Sequence, residues 1–227
     1  MRVVVVAAVL AAAACSDATA PDLDLDAAVR VVHAAPETPR IEVVLEGESR
    51  TILEYAEVSE YFTAAAGEAQ LQLLVGGAVD PLIELDTILD EGTAYTVLAA
   101  GQASSIVPIV LRDEGGPADS GQARIRFVHA APTAGPVDIY VGEPAVELGD
   151  QPPVLAGLTF GDASDYMVLE ARTYRVRVTV AGTQTILIDL PLLVLSSTRV
   201  HTIVMMDTEG SGPPHGLIAL DDRTTVR

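Results

Sequence analysis

The pentapeptide Val-His-Ala-Ala-Pro occurs twice in this chain, at 32–36 and 128–132, with its histidines 96 residues apart. A short alternating run precedes each copy and another follows, so each pentapeptide reads as a strand end and the corner after it. Aligned on the histidine, Val29, Val31 and His33 match Ile125, Phe127 and His129, while Arg30 matches Arg126. Alternation of period two puts the apolar residues and the imidazole on one strand face and the arginine on the other. A chain that repeats such a pattern is constrained to build one strand-rich unit twice.

The rest of the sequence follows the same duplication. Ile41 to Leu45 matches Val137 to Val141, with the odd positions apolar and Glu42 or Asp138 pointing away. Ser59-Glu60-Tyr61 then matches Ser164-Asp165-Tyr166 at a spacing of 105, so the second unit carries nine extra residues. They fall within Gly142 to Gly157, a loop by composition that holds Pro144, Pro152 and Pro153. Beyond it Ala69 to Val75 matches Tyr174 to Val180, Leu82 to Leu85 matches Leu187 to Leu190, and Tyr95 to Leu98 matches His201 to Val204. A last apolar run closes each unit, Ile106 to Leu111 and Leu217 to Leu220. Six or seven short strands per unit, with turn residues between them and no helical period, predict an all-β chain of two tandem immunoglobulin-like antiparallel β-sandwiches. Asparagine is absent, so Glu46-Gly47 and Gly76-Gly77 must serve where hairpins otherwise use Asn-Gly.

The expected organisation is a signal peptide at 1–14, a linker at 15–27, a first repeat at 28–114, a Gly- and Pro-containing linker at 115–121, a second repeat at 122–222 and a tail at 223–227. The apolar run from Val3 to Ala14 is shorter than the roughly 20 residues of a membrane span. Ala13-Ala14-Cys15 resembles a bacterial lipobox, which makes Cys15, the one cysteine, the expected lipidation site. Cleavage after Ala20 is the competing reading, and Pro21 obstructs it. The expected location is therefore the outer face of the cell envelope, lipid-anchored, or else periplasmic or secreted. Thirteen basic residues, all arginine, against 32 acidic ones give a net charge of −19, which disfavours nucleic acid and restricts membrane contact to the lipid anchor. Asp22 to Asp26 has the alternation of a calcium loop, but Ala27 and His33 stand where the glycine and the bidentate glutamate belong, and a solvated linker is the better reading.

The combination of the repeated pentapeptide, the Val-Asp-Ile-Tyr-Val run, the later Ser-Asp-Tyr and the Ala-Tyr-Thr-Val segment resembles the bacterial domain-of-unknown-function family 4397. The resemblance covers nearly all of Ala28 to Asp222 as two tandem copies and implies immunoglobulin-like sandwiches on exported, often lipid-anchored proteins. It implies no activity. His201 in place of the tyrosine seen at Tyr95, and Glu170-Ala171-Arg172 in place of Ala65-Ala66-Gly67, depart from the pattern of the first copy.

Candidate sites are few. His33 and His129 phase with the core, which favours an imidazole that locks the corner at Pro36 or Pro132 over a metal ligand. Tyr61 and Tyr166 read as structural hydroxyls, and Tyr140 as outward. Arg124, Arg126, Arg175 and Arg177 lie on the outward faces of two strands; in one sheet they would form a patch for a carboxylate, sulfated sugar or phosphate, unless Asp138 or Glu170 neutralises them. The motifs of metalloproteases, serine hydrolases and phosphate-binding loops are missing, so no catalytic residue and no cofactor are assigned. The expectation is a non-enzymatic binding, adhesion or spacer role toward an envelope protein or polysaccharide. The alternatives are a hydrolase or metal-dependent enzyme built on the second module around His129 and His201, and a purely structural component of an envelope assembly.

Overall fold

The computed structural model describes residues 26–102, 105–114, 116–208 and 213–222. Among them are 16 strands, one 3-10 turn at Leu148–Asp150 and no α-helix. The first module comprises β1 (Ala27–Ala34), β2 (Ile41–Leu45), β3 (Glu48–Leu53), β4 (Phe62–Ala64), β5 (Gly67–Val75), β6 (Ile83–Leu89), β7 (Ala94–Gln102) and β8 (Ser105–Arg112). The second comprises β9 (Gln122–Ala130), β10 (Val137–Gly142), β11 (Leu155–Leu158), β12 (Met167–Glu170), β13 (Thr173–Val180), β14 (Ile186–Val194), β15 (Val200–Asp207) and β16 (His215–Asp221). Each module is a sandwich of two four-stranded sheets, β4-β1-β7-β8 on β3-β2-β5-β6 and β12-β9-β15-β16 on β11-β10-β13-β14. The two orders correspond strand for strand.

Eight strands per module exceed the six or seven expected. The additions are β3 and β4 with their counterparts β11 and β12. β3 is exposed over most of its length and β4 has three residues, so neither shows an apolar alternation. β11 corrects the reading of 142–157 as loop alone, because its end forms a strand paired with β10. One pair per module also departs from antiparallel order: β1 runs parallel to β7, and β9 to β15. Parallel neighbours cannot be joined by a hairpin, and here the chain visits the opposite sheet before it returns.

Turn chemistry follows from composition. Glu46 (φ 53°) and Gly47 (φ 73°) both take the left-handed region between β2 and β3, as a two-residue hairpin turn demands. Gly92 (φ 67°) precedes β7, and the equivalent place before β15 holds Thr198, also at φ 67°. A β-branched residue there is strained. Thr198→Gly is therefore expected to stabilise the chain by about 0.5–1 kcal/mol, the relief of strain outweighing the added freedom of the unfolded chain. Urea unfolding reads this directly, and a loss of stability would mean that the threonine side chain makes a compensating contact.

The inward faces fill two cores, one around Val31, Ile41, Leu73 and Val97, the other around Ile125, Phe127, Ile139 and Ile203. A third cluster joins the modules: Val32, Ala34, Leu98, Ala100, Ile109 and Leu111 of the first pack with Val128, Ala130, Val204, Met206 and Leu220 of the second. Strands β1 and β7 are therefore covered on both faces, as are β9 and β15 over nearly all their length. The result is four stacked sheets, with β4-β1-β7-β8 and β12-β9-β15-β16 as the inner pair.

Candidate functional site

The buried charge of the molecule is concentrated where the inner sheets meet. Alternation sends Arg30 out of the first core and Arg126 out of the second, as the sequence requires, but the space beyond is the other module. Only 3% of Arg30 and 4% of Arg126 is exposed. Each guanidinium first meets a hydroxyl on the neighbouring parallel strand: Arg30 Nε donates to Thr96 Oγ1 at 2.8 Å, and Arg126 Nε to Thr202 Oγ1 at 2.7 Å. Each then crosses the junction. Arg30 pairs with Asp222 and donates to the Asp221 carbonyl at 2.8 Å, while Arg126 pairs with Asp113 and donates to the Arg112 carbonyl at 2.7 Å.

The carboxylates close the ring. Thr96 donates to Asp113 at 2.8 Å and Thr202 to Asp222 at 2.6 Å; Tyr61 and Tyr166 donate to the same two carboxylates, each at 2.6 Å. The rings of Tyr61 and Tyr166 also lie under Arg30 (4.7 Å) and Arg126 (4.6 Å). Within this ring of eight side chains the arrangement is a pseudo-two-fold; outside it the junction is asymmetric, with Tyr55 donating to the Asp207 carbonyl where the second module has Phe160. Burial pushes the Asp113 carboxyl above its ordinary range and Asp222 adds to this, while Arg30, Tyr61 and Arg126 oppose it. Burial likewise raises the Tyr166 hydroxyl, with Asp222 contributing, so it remains a neutral donor.

The expected anionic-ligand patch is corrected by this geometry. Arg124 and Arg126 stand on β9 of the inner sheet, Arg175 and Arg177 on β13 of the outer one, so the four do not share a sheet. Arg124 donates to the carbonyls of Glu114 (2.9 Å) and Gly116 (3.1 Å) and lies over the Tyr166 ring. Arg175 makes a two-point contact with Asp189, 2.8 and 2.5 Å. Arg177 is buried and donates to the Val146 carbonyl at 2.6 Å. The residues inserted in the second unit thus cover this face rather than frame a site on it. Tyr140, expected outward, is buried on that same face. Asp138 neutralises none of the arginines; it accepts from the backbone N–H of Gly157 and of Gly182, each at 2.8 Å, and so ties the insertion to the β13–β14 turn.

The histidines sit in matching corners. His33 Nε2–H donates to the Pro39 carbonyl (3.2 Å) and its Nδ1 accepts from Ala35 N–H (3.4 Å). His129 repeats this with the Gly135 carbonyl (2.8 Å) and Ala131 N–H (3.3 Å). The corners begin with the turn residues Pro36 and Pro132. Both imidazoles are fully buried, and burial holds both below the ordinary 6.5 despite those carbonyls. Between the lowered folded value and 6.5 the unfolded chain binds more protons, so stability is complete above about 6.5 and is lost as pH falls through the folded value. Urea unfolding of wild type and of His33→Gln/His129→Gln between about pH 7 and 5 is expected to give a steeper acid decline for wild type. Parallel slopes would assign that decline to other groups.

The enzyme alternative needed His129 and His201 together. On β9 and β15, His129 stands beside Met205 and His201 beside Ile125, four residues down the strand, or about 13 Å. His201 instead contacts Asp221 at 2.8 Å, and His215 contacts Asp207 at 3.0 Å. Among the described residues no group of three or more His, Cys, Asp or Glu is placed to hold a metal ion. Cys15 lies outside the described residues.

Fold and junction together define a two-module all-β protein whose sandwiches are joined back to back. The family Domain of unknown function (DUF4397) matches residues 27–140, which is the first module with β9 and most of β10. The chain belongs to this family. No curated protein matches it. A solved family 26 carbohydrate-binding module from Eubacterium rectale Amy13K, in complex with maltoheptaose, is similar at 10% identity over 87% of this chain and 97% of that one, with a TM-score of 0.27. So loose a likeness says nothing about a ligand here.

Proposed function

We propose that the chain is an exported envelope protein, tethered through lipid on Cys15, that uses two copies of the family's domain as one rigid spacer and binding element. Its outer sheets, β3-β2-β5-β6 and β11-β10-β13-β14, face away from each other toward another envelope component, protein or polysaccharide. The observation that carries this reading is the junction. A flexible pair of modules does not bury two arginines, two carboxylates and an apolar cluster between its members, because each must be desolvated and paired. The identical strand orders and the recurrent histidine corner support the duplication. The Val3 to Ala14 run before Cys15 supports export and anchoring.

Rigidity is tested by pulsed dipolar spectroscopy on nitroxides at Ser49→Cys and Gln184→Cys, exposed positions in the two modules, in a Cys15→Ser background. One narrow distance is expected, and a broad distribution would dismiss the spacer. The anchor is tested by radioactive fatty-acid labelling of wild type and Cys15→Ser. Label on wild type alone is expected; equal labelling removes the anchor and leaves the junction argument standing.

A further inference from the structure

We propose that the junction face is also a docking surface for a second copy of this chain, reached by exchange of modules. Each face carries a guanidinium at mid-strand, a carboxylate just beyond the edge strand, a threonine and a tyrosine between them, and an apolar set beside them. Both ion pairs run between modules, Arg30 to Asp222 and Arg126 to Asp113, and the two are related by the pseudo-two-fold. The match is one of unlike modules, since Tyr55 of the first donates to the Asp207 carbonyl and Phe160 stands where the second would need that hydroxyl, but nothing in it marks whether the second module belongs to the same chain. The choice is made by the tether at 114–121, whose carbonyls at Glu114 and Gly116 are held by Arg124.

A connection of that length gives a partner module an effective concentration in the millimolar range, so dilute chains stay closed. Where chains crowd to a similar concentration, the same contacts form between neighbours, and a spacer becomes a self-associating element. This inference rests on the junction alone and does not require the lipid anchor.

Charge reversal separates the two modes of pairing. In Asp113→Arg the new side chain faces Arg126 of its own chain, and in Arg126→Asp it faces Asp113, so each closed form sets like charges together in a desolvated junction. Mixed one to one, the two variants match in both exchanged junctions. Light scattering on full chains that also carry Cys15→Ser is expected to give the mass of one chain for either variant alone, and twice that mass for the mixture, with both variants present equally. The pair Asp222→Arg and Arg30→Asp should behave in the same way, and it decides the matter if a member of the first pair lacks a β-sheet circular dichroism spectrum. A mixture that keeps the single-chain mass overturns the proposal.

Discussion

Arg126→Ala is expected to lower the unfolding free energy by about 3–5 kcal/mol, because it strands a buried carboxylate. The Asp113 side chain is fully enclosed, and with the guanidinium gone it keeps only the Thr96 and Tyr61 hydroxyls as donors among its described contacts. Arg126→Ala/Asp113→Ala should cost less than the sum of its single changes, with a coupling of about 0.5–3 kcal/mol in a double-mutant cycle. The pH dependence has a definite sign. Burial raises the folded Asp113 pKa above 3.8, so its contribution to stability is largest below 3.8 and declines as pH rises through the folded value. Protonation also removes the stranded charge, so the Arg126→Ala deficit should shrink in acid. A deficit that is unchanged from neutral to acidic pH would show that the lost energy is packing rather than charge.

Phe127→Ala should cost about as much, 3–5 kcal/mol, for a different reason. Phe127 is 1% exposed, is the largest fully buried side chain described, and belongs to the second core. Its removal leaves a cavity that flanking sheets, pinned by their ladders, do not collapse into. The more informative reading is cooperativity. Unfolding of the second module would expose Val32, Leu98, Ile109 and Leu111 of the first and would leave Arg30 and Asp113 without their cross-junction partners. Both modules should therefore melt in one calorimetric transition, shifted as a whole by Phe127→Ala. A first-module transition at an unchanged midpoint would mean that the junction does not couple them.

The strand phase was legible at particular residues. Val31 and His33 point inward and Arg30 does not, because a pleated backbone admits only that alternation. The histidine corner was legible for the same reason: an imidazole at a core phase next to a turn finds a carbonyl within a few residues. β3 escaped because an exposed edge strand carries no apolar period. The arginine patch was misread because a side chain that leaves its own core can have either water or protein beyond it, and period two describes both equally. A weak signal did exist. Ala28, Val32 and Ala34 share the outward face of β1 with Arg30, and small apolar neighbours around one arginine suit a covered face better than a solvated one.

By itself, the order of residues determined that this is an all-β chain, that its unit recurs, and that matching imidazoles sit in matching corners. These are local matters, settled by alternation, turn chemistry and the fixed reach of a side chain to its own backbone. Tertiary structure alone decided what lies against each outward face: the second module against Arg30 and Arg126, and the inserted segment against Arg177. The partners of those arginines stand 191, 14 and 31 residues away in the chain. No periodicity spans such intervals, and they are brought together only when whole sheets stack and drive water from between them.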